Sequence, residues 1–132
     1  MDAPDRWEGS YDPGVPRHLT YPEIPLHALL ANTAKRFPKV PALVFGGAVG
    51  GRCLDGCITY EKLAGLAARA AAGFQRLGVR KGDRVALVLP NCPQFVYSFY
   101  GALQAGAVVV PTNPLYTVPE LRRQLADSGA SV

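Results

Sequence analysis

A long stretch without charge limits what this chain can fold into. Positions 85–119 contain no Asp, Glu, Lys or Arg, and the middle of the stretch, 95–110, is nearly all apolar. Its length alone permits a membrane crossing. Pro93, Gly106 and Pro111 divide it into shorter elements, however, and strands of a parallel sheet covered on both faces show the same lack of charge. We predict a buried parallel sheet, and membrane attachment through residues 95–110 is the alternative.

The same stretch predicts a strand, a helix and a second strand. Residues 85–89 form a short apolar run after a turn at 80–83. A helix begins with Pro93 in its first turn, where the missing N–H of proline does no harm, and Gly106 ends it. Residues 107–110 give the second strand. Such a βαβ unit is expected to have parallel strands and a right-handed crossover.

The last residues predict another helix and the opening of a strand. Thr117 and Glu120 form a Thr-x-x-Glu capping box, which begins a helix that Gly129 closes. Residues 130–132 then read as the first residues of a strand. The predicted fold class is α/β, a partial doubly wound parallel sheet with flanking helices. We expect the chain to be truncated at the start of that strand.

Two regions precede the sheet. Residues 1–25 hold five prolines among Trp7, Tyr11 and Tyr21, which favours an extended arm whose aromatic rings lie against another surface. Residues 26–37 carry apolar side chains at helical spacing and predict an amphipathic helix. The predicted domains are therefore a proline-rich arm, 1–25, and an incomplete α/β domain, 26–132.

A glycine-rich connection links two short predicted strands, 42–45 and 57–60. It has neither the G-x-G-x-x-G spacing nor the Gly-Lys-Ser/Thr ending of a phosphate-binding loop, so we interpret it as a hairpin loop. Thr59 caps the next helix, which Gly78 ends. The alanine-rich stripe of this helix predicts close packing on a sheet.

The charges do not favour a nucleic acid partner. Fourteen basic and ten acidic residues give a formal charge of +4, but the basic residues are scattered from Arg6 to Arg123. The length of 132 residues is enough for one domain. The first residues are polar, unlike a signal peptide, so we expect a cytoplasmic protein with reduced cysteines.

Side chains that could carry chemistry are few. Cys53 and Cys57 lie four residues apart, but no second cysteine pair and no His-x-x-x-His follows, so no zinc site is predicted. His18 and His27 have no nucleophile placed beside them by a motif. Asp83 is interpreted as a turn-forming carboxylate. We predict no catalytic, cofactor-binding or metal-binding residue in this chain.

Several short motifs carry a resemblance to a known family. They are KGDRV at 81–85, LPN at 89–91, GAVVVP at 106–111, NPLYT at 113–117, DSGA at 127–130 and ITYEKL at 58–63, together with Trp7, Tyr11, GVP at 14–16 and YP at 21–22 in the arm. In order and spacing they closely resemble the N-terminal region of AMP-forming acyl-CoA synthetases, members of the adenylate-forming superfamily. The arm looks most like that of long-chain fatty acid–CoA ligases.

The resemblance implies a ligase that acts in two steps. ATP and a fatty acid give an acyl-adenylate and pyrophosphate, coenzyme A then takes the acyl group, and Mg²⁺ neutralises the phosphates. The family's phosphate loop, nucleotide-binding residues and catalytic lysine lie beyond the point that matches Val132, so the resemblance implies a segment that is inactive alone and binds no cofactor. The turn at 111–114 follows a parallel strand, at the edge where α/β sheets tend to bind ligands, but the interpretation that it approaches the nucleotide is not favoured.

Two further expectations concern partners. An exposed sheet edge and an apolar helix face would favour a homo-oligomer, and any membrane association would be peripheral at most. The alternative function is a self-contained flavodoxin-like module that binds a nucleotide or a protein.

Overall fold

The structure is a computed structural model that describes residues 10–16, 18–46, 48–49, 52–53 and 56–132. In these residues helices and strands follow one another along the chain. The helices are α1 (Leu26–Arg36), α2 (Tyr60–Arg76), α3 (Pro93–Gln104) and α4 (Val118–Ser128). The strands are β1 (Pro41–Val44), β2 (Ala48–Val49), β3 (Arg52–Cys53), β4 (Cys57–Thr59), β5 (Arg84–Val88) and β6 (Val108–Thr112). The predicted α/β class is confirmed.

The strands pair two by two. Strands β5 and β6 are parallel, in a register that runs from Arg84 beside Val108 to Val88 beside Thr112. This confirms the predicted βαβ unit, with α3 as its crossover helix. Strands β1 and β4 are antiparallel, as expected for a hairpin. The glycine-rich connection between them was predicted as a loop, but it contains the short antiparallel pair β2 and β3, because its own backbone groups pair with one another.

Helix α2 packs mainly on α3, and the prediction that its alanine stripe packs on a sheet was wrong in this respect. The reason lies in Gly101 of α3. A Cβ atom at this position would lie 2.6 Å from the Cβ of Ala70 and 2.9 Å from the carbonyl oxygen of Ala67. The absence of a side chain therefore lets the two helix backbones approach each other closely.

Two apolar clusters hold these elements together. The first lies between the parallel strands and α3 and contains Val79, Val85, Leu87, Ala102 and Ala107, with the rings of α3 packed against it. The second lies between α1, α2 and the β1–β4 hairpin and is built on Leu30, Leu63 and Ala67. Since Ala67 also faces Gly101, the α2–α3 contact lies next to the second cluster.

The residues after α4 lie beside β5. The amide of Ser131 donates to the carbonyl oxygen of Arg84 at 3.0 Å, and the amide of Ala86 donates to the carbonyl oxygen of Val132 at 2.7 Å. These bonds place residues 131–132 on the side of β5 opposite to β6. The two bonds agree with the predicted beginning of a strand at 130–132. Residues 131–132 do not form a regular β-ladder with β5.

The described part of the N-terminal arm, residues 10–16 and 18–25, contains no α-helix and no strand, in agreement with the proline spacing. In the single chain, Tyr21 is 75% exposed and Tyr11 is 44% exposed. Trp7 lies outside the described residues. The predicted contact of these rings with another surface therefore stays a prediction.

The uncharged stretch is divided into shorter elements, as predicted: most of β5, all of α3 and β6, the first residues of α4, and the turns between them. Among the helices in the described part of the chain, none has the length and apolar composition that a membrane crossing needs.

Helix α4 begins with the predicted capping box. The backbone N–H of Thr117 donates to Oε2 of Glu120 at 2.8 Å, and the Thr117 hydroxyl donates to the same oxygen at 2.7 Å. Replacing Thr117 by alanine removes the hydroxyl and is expected to destabilise the protein by about 1 kcal/mol. Urea unfolding followed by circular dichroism measures this loss. An unchanged midpoint would show that the box contributes nothing.

The capping box also predicts a dependence on pH. The hydrogen bond from the Thr117 side chain, and then the one from its backbone, lower the pKa of Glu120 from 4.5. A depressed pKa means that the contribution of Glu120 is present above the pKa of the unfolded chain and is lost as the pH falls through the folded value. The stability difference between the natural chain and Glu120→Gln should therefore shrink on acidification. A difference that is constant from neutral pH to well below 4.5 would contradict this.

Candidate functional site

The candidate site lies where the two parallel strands end. Because β5 and β6 are parallel, their carboxyl ends meet at one edge of the sheet, which is where α/β proteins tend to bind ligands. A groove of about 540 Å³ opens at this edge. It is lined by residues 89–91 after β5, by residues 111–116 at and after the end of β6, and by Phe95 of α3. The turn at 111–114, for which contact with the nucleotide was not the favoured interpretation, thus forms one wall of a groove.

The wall after β6 has a fixed conformation. Oδ1 of Asn113 accepts a hydrogen bond from the backbone N–H of Leu115 at 3.0 Å, and the carbonyl oxygen of Asn113 accepts one from the N–H of Tyr116 at 3.2 Å. Side-chain bonds of this kind are why asparagine is favoured in turns. These two local bonds stabilise the conformation of the turn.

The chemistry of the groove is uncharged. None of its lining residues is Asp, Glu, Lys or Arg. Thr112, which is only 4% exposed, donates its hydroxyl to the carbonyl oxygen of Val110 at 3.2 Å and so contributes polarity without charge. A triphosphate requires cations or converging backbone N–H groups. The groove instead suits an uncharged part of a ligand that has both apolar and hydrogen-bonding groups.

A second cavity, of about 360 Å³, lies beside the groove. It is mostly apolar and is lined by residues 43–45 at and after the end of β1 and by the first residues of α3. Asn91 and Phe95 line both cavities and therefore stand between them. The sequence analysis placed Asn91 in the LPN motif without a role at a site, and it did not single out Phe95. The position of Asn91, two residues after the predicted strand 85–89, was the signal that could have indicated a place in the site.

The residues considered as catalytic candidates are not brought together. Neither His18 of the arm nor His27 of α1 lines the groove. Oδ2 of Asp83 accepts a hydrogen bond from the backbone N–H of Arg80 at 2.7 Å, which confirms its predicted role in the turn. No arrangement of a nucleophile and a base follows from these positions.

Cys57 and Cys92 differ in oxidation state. Cys57 is disulfide-bonded, so the expectation of reduced thiols was wrong for this residue. Cys92, just before α3, is a free and half-buried thiol. In the part of the chain that the structure describes, no three His, Cys, Asp or Glu side chains are grouped in a way that could hold a metal ion.

The fold is shared with solved structures of larger enzymes. The N-terminal domain of FACL13 from Mycobacterium tuberculosis, solved with an inhibitor, superimposes with a TM-score of 0.72 and is 39% identical, over 80% of this chain and 25% of that one. VinN superimposes with a TM-score of 0.71 at 33% identity, over 80% of this chain and 26% of that one. This is the α/β architecture at the N-terminus of adenylate-forming enzymes.

The chain belongs to the AMP-binding enzyme family, whose model matches residues 30–132. It is 42% identical over all 132 residues to a long-chain-fatty-acid–CoA ligase of Bacillus subtilis, of which it covers 22%. It is 32% identical over 118 residues, 89% of the chain, to 4-coumarate–CoA ligase 1 of Solanum tuberosum, of which it covers 20%. The chain thus spans about a fifth of the length of the curated relatives that it matches.

Proposed function

We propose that this chain is the N-terminal part of an ATP-dependent ligase that activates a long-chain fatty acid. In the first step a carboxylate oxygen of the acid attacks the α-phosphate of ATP, giving the acyl-adenylate and pyrophosphate. In the second step the thiol of coenzyme A attacks the acyl carbon, loses its proton and releases AMP. The observation that carries the proposal is the 42% identity to a long-chain-fatty-acid–CoA ligase over the full 132 residues.

The choice of acid rests on a comparison between relatives. The ligase named for a long-chain fatty acid matches at 42% identity and the ligase named for 4-coumarate at 32%. Both names describe a carboxylate joined to coenzyme A, which supports the common chemistry more firmly than the acid. A self-contained flavodoxin-like module is not proposed, because the chain belongs to a family of AMP-binding enzymes.

In this reaction the chain would contribute one side of the ligand-binding site. The uncharged groove at the carboxyl edge of β5 and β6 would contact an uncharged part of the nucleotide or of the adenylate. Mg²⁺, when bound, neutralises the phosphates. The groove has no charged lining residue, so we assign the residues that hold Mg²⁺ and the triphosphate to other parts of the protein. We propose no catalytic residue within the chain.

ATP–pyrophosphate exchange tests the proposal. The 132-residue chain alone is expected to show no palmitate-dependent exchange above a blank without protein. The product of the complete reading frame should show exchange with palmitate and form palmitoyl-CoA when coenzyme A is added. Exchange by the chain alone would contradict its predicted inactivity.

Two further results would contradict the assignment. A complete reading frame that contains no Ser/Thr/Gly-rich loop followed by a lysine would exclude this ligase chemistry. Exchange with 4-coumarate but not with palmitate would leave the two-step reaction in place and show that the acid is wrong.

We also propose a domain organisation, an oligomeric state and a cellular location for the protein. Residues 1–25 would form an arm and residues 26–132 part of the large α/β domain, in a cytoplasmic homo-oligomer with at most peripheral contact to a membrane. The exposed apolar side chains of the arm support association, since Leu19 is 60% exposed and Tyr21 is 75% exposed. Light scattering should give a mass above 14.1 kDa for the isolated chain, and a monodisperse monomer would contradict this.

A further inference from the structure

Cys57 lies on the outer face of the β1–β4 hairpin. It is the first residue of β4 and is paired with Val44 of β1. The next pair along the hairpin, Leu43 and Ile58, packs against the second cluster. Because side chains alternate along a strand, Val44 and Cys57 share the face of the hairpin that points away from this cluster. Val44 is accordingly 55% exposed, and Cys57 is half-buried.

The disulfide bond of Cys57 is unusual for a protein of the proposed location. The chain has three cysteines, of which Cys57 is disulfide-bonded and Cys92 is a free thiol. The cytosol keeps thiols reduced, so disulfides found there are mostly transient and have a catalytic or redox-sensing role. Cys57 does not line the groove of the candidate site, which argues against a catalytic role. The redox-sensing role is the one that fits its position.

The hairpin connects Cys57 to the wall of the second cavity. Val44, its partner across the hairpin, lines this cavity together with Phe45, and Cys92 lines it from the side of α3. Gly56, which precedes Cys57, lies beside Phe45, since a Cβ atom at this glycine would be 3.5 Å from the Phe45 carbonyl oxygen. A covalent cross-link at Cys57 therefore restrains the segment that forms one wall of the cavity.

We propose that Cys57 is a site of reversible thiol–disulfide exchange with a small thiol of the glutathione class, and that opening its disulfide loosens this wall. A thiolate of the reductant attacks one sulfur of the protein disulfide, whose S–S bond breaks to leave a mixed disulfide and one protein thiol. A second reductant thiolate attacks the reductant's sulfur in the mixed disulfide and releases the other protein thiol. Two electrons and two protons pass to the protein, and the reductant leaves as its own disulfide. The inference rests on the proposed cytoplasmic location.

Differential alkylation of the complete protein tests the exchange. The native protein is equilibrated without denaturant in glutathione buffers that range from oxidised to reduced, and peptide mass spectrometry assigns Cys57 as alkylated or disulfide-bonded. Cys57 should pass from disulfide to thiol as reduced glutathione increases, and should return when oxidised glutathione is restored. A disulfide that opens only when the protein is unfolded would overturn the proposal, and so would a Cys57 thiol in every buffer.

The reactivity of Cys92 tests the effect on the cavity. Cys92 should react with a maleimide at least about threefold faster in the reduced protein, because the opposite wall of the cavity is released. Cys57→Ser removes the disulfide, so Cys92 should react at the faster rate in every buffer. Equal rates in the oxidised and the reduced protein, with an unchanged circular dichroism spectrum, would overturn the link to the cavity.

Cys92→Ser is the matched control, since it also replaces one sulfur by oxygen but leaves the disulfide in place. Cys57 should show the same redox transition in this variant as in the natural protein. Loss of the transition in Cys92→Ser would show that the exchange takes place through Cys92, and would overturn the assignment to Cys57.

These measurements need no substrate and are therefore separate from the proposed function. A complete protein that forms palmitoyl-CoA but keeps its Cys57 disulfide in reduced glutathione would leave the function intact and refute the exchange site. A complete protein that shows the redox transition but lacks ligase activity would support the exchange site and refute the function.

Discussion

Gly101→Ala is expected to destabilise the protein by about 1–3 kcal/mol, although alanine is the better helix former. The new Cβ atom would lie 2.6 Å from the Cβ of Ala70, 2.9 Å from the carbonyl oxygen of Ala67 and 3.0 Å from the backbone nitrogen of Ala71. Two of these three atoms belong to the backbone of α2 and cannot rotate away. The helices must therefore move apart, which weakens the contact between α2 and α3.

The matched control is the same substitution at Gly65. This glycine lies within α2, and a Cβ atom there would meet nothing within 4 Å. Gly65→Ala should therefore stabilise the protein by about 0.5–1 kcal/mol, through helix propensity alone. Urea unfolding followed by circular dichroism gives both values. The packing argument fails if the two substitutions shift the midpoint in the same direction.

Leu87→Ala is expected to have the largest effect, a loss of about 2–5 kcal/mol. Leu87 is 5% exposed in the middle of β5 and belongs to the cluster that joins the parallel strands to α3. Removal of its side chain leaves a cavity that the neighbouring rings fill only in part. Since small domains are stable by only about 5–15 kcal/mol, this loss removes a large share of the free energy of unfolding.

Leu77→Ala provides the comparison for this prediction. Leu77 immediately follows α2 and is 70% exposed, so the same change of side chain should alter stability by no more than about 0.5 kcal/mol. The two variants separate burial from the chemistry of leucine. Equal losses for Leu87→Ala and Leu77→Ala, measured by thermal unfolding, would mean that the first cluster does not hold the fold together.

The sequence predicted the local structure well, because the signals for it are local. The capping box of Thr117 and Glu120, the left-handed Gly129 after α4 and the proline in the first turn of α3 all lie where the sequence placed them. Each depends on backbone groups within a few residues of the signal. The parallel pairing of β5 and β6 followed from the length of the helix between them, since a tight turn joins only antiparallel strands.

The candidate site was predictable only in part. The turn at 111–114 was expected at a ligand-binding edge, because it follows a parallel strand. That Asn91 and Phe95 separate the groove from a second cavity depends on how the start of α3 lies against the end of β1. The two segments are about fifty positions apart in the chain, and no local pattern fixes their distance.

The sequence by itself determined the order of helices and strands, the parallel pair and the family resemblance, because these follow from the spacing of apolar residues, caps and short motifs. Only the tertiary structure decided that α2 packs on α3 through Gly101, that Tyr11 and Tyr21 of the arm are exposed, and that Val88 and Val108 are left uncovered. The physical reason is that burial depends on residues that are distant in the chain. A cap or a turn, in contrast, forms its hydrogen bonds with residues only a few positions away.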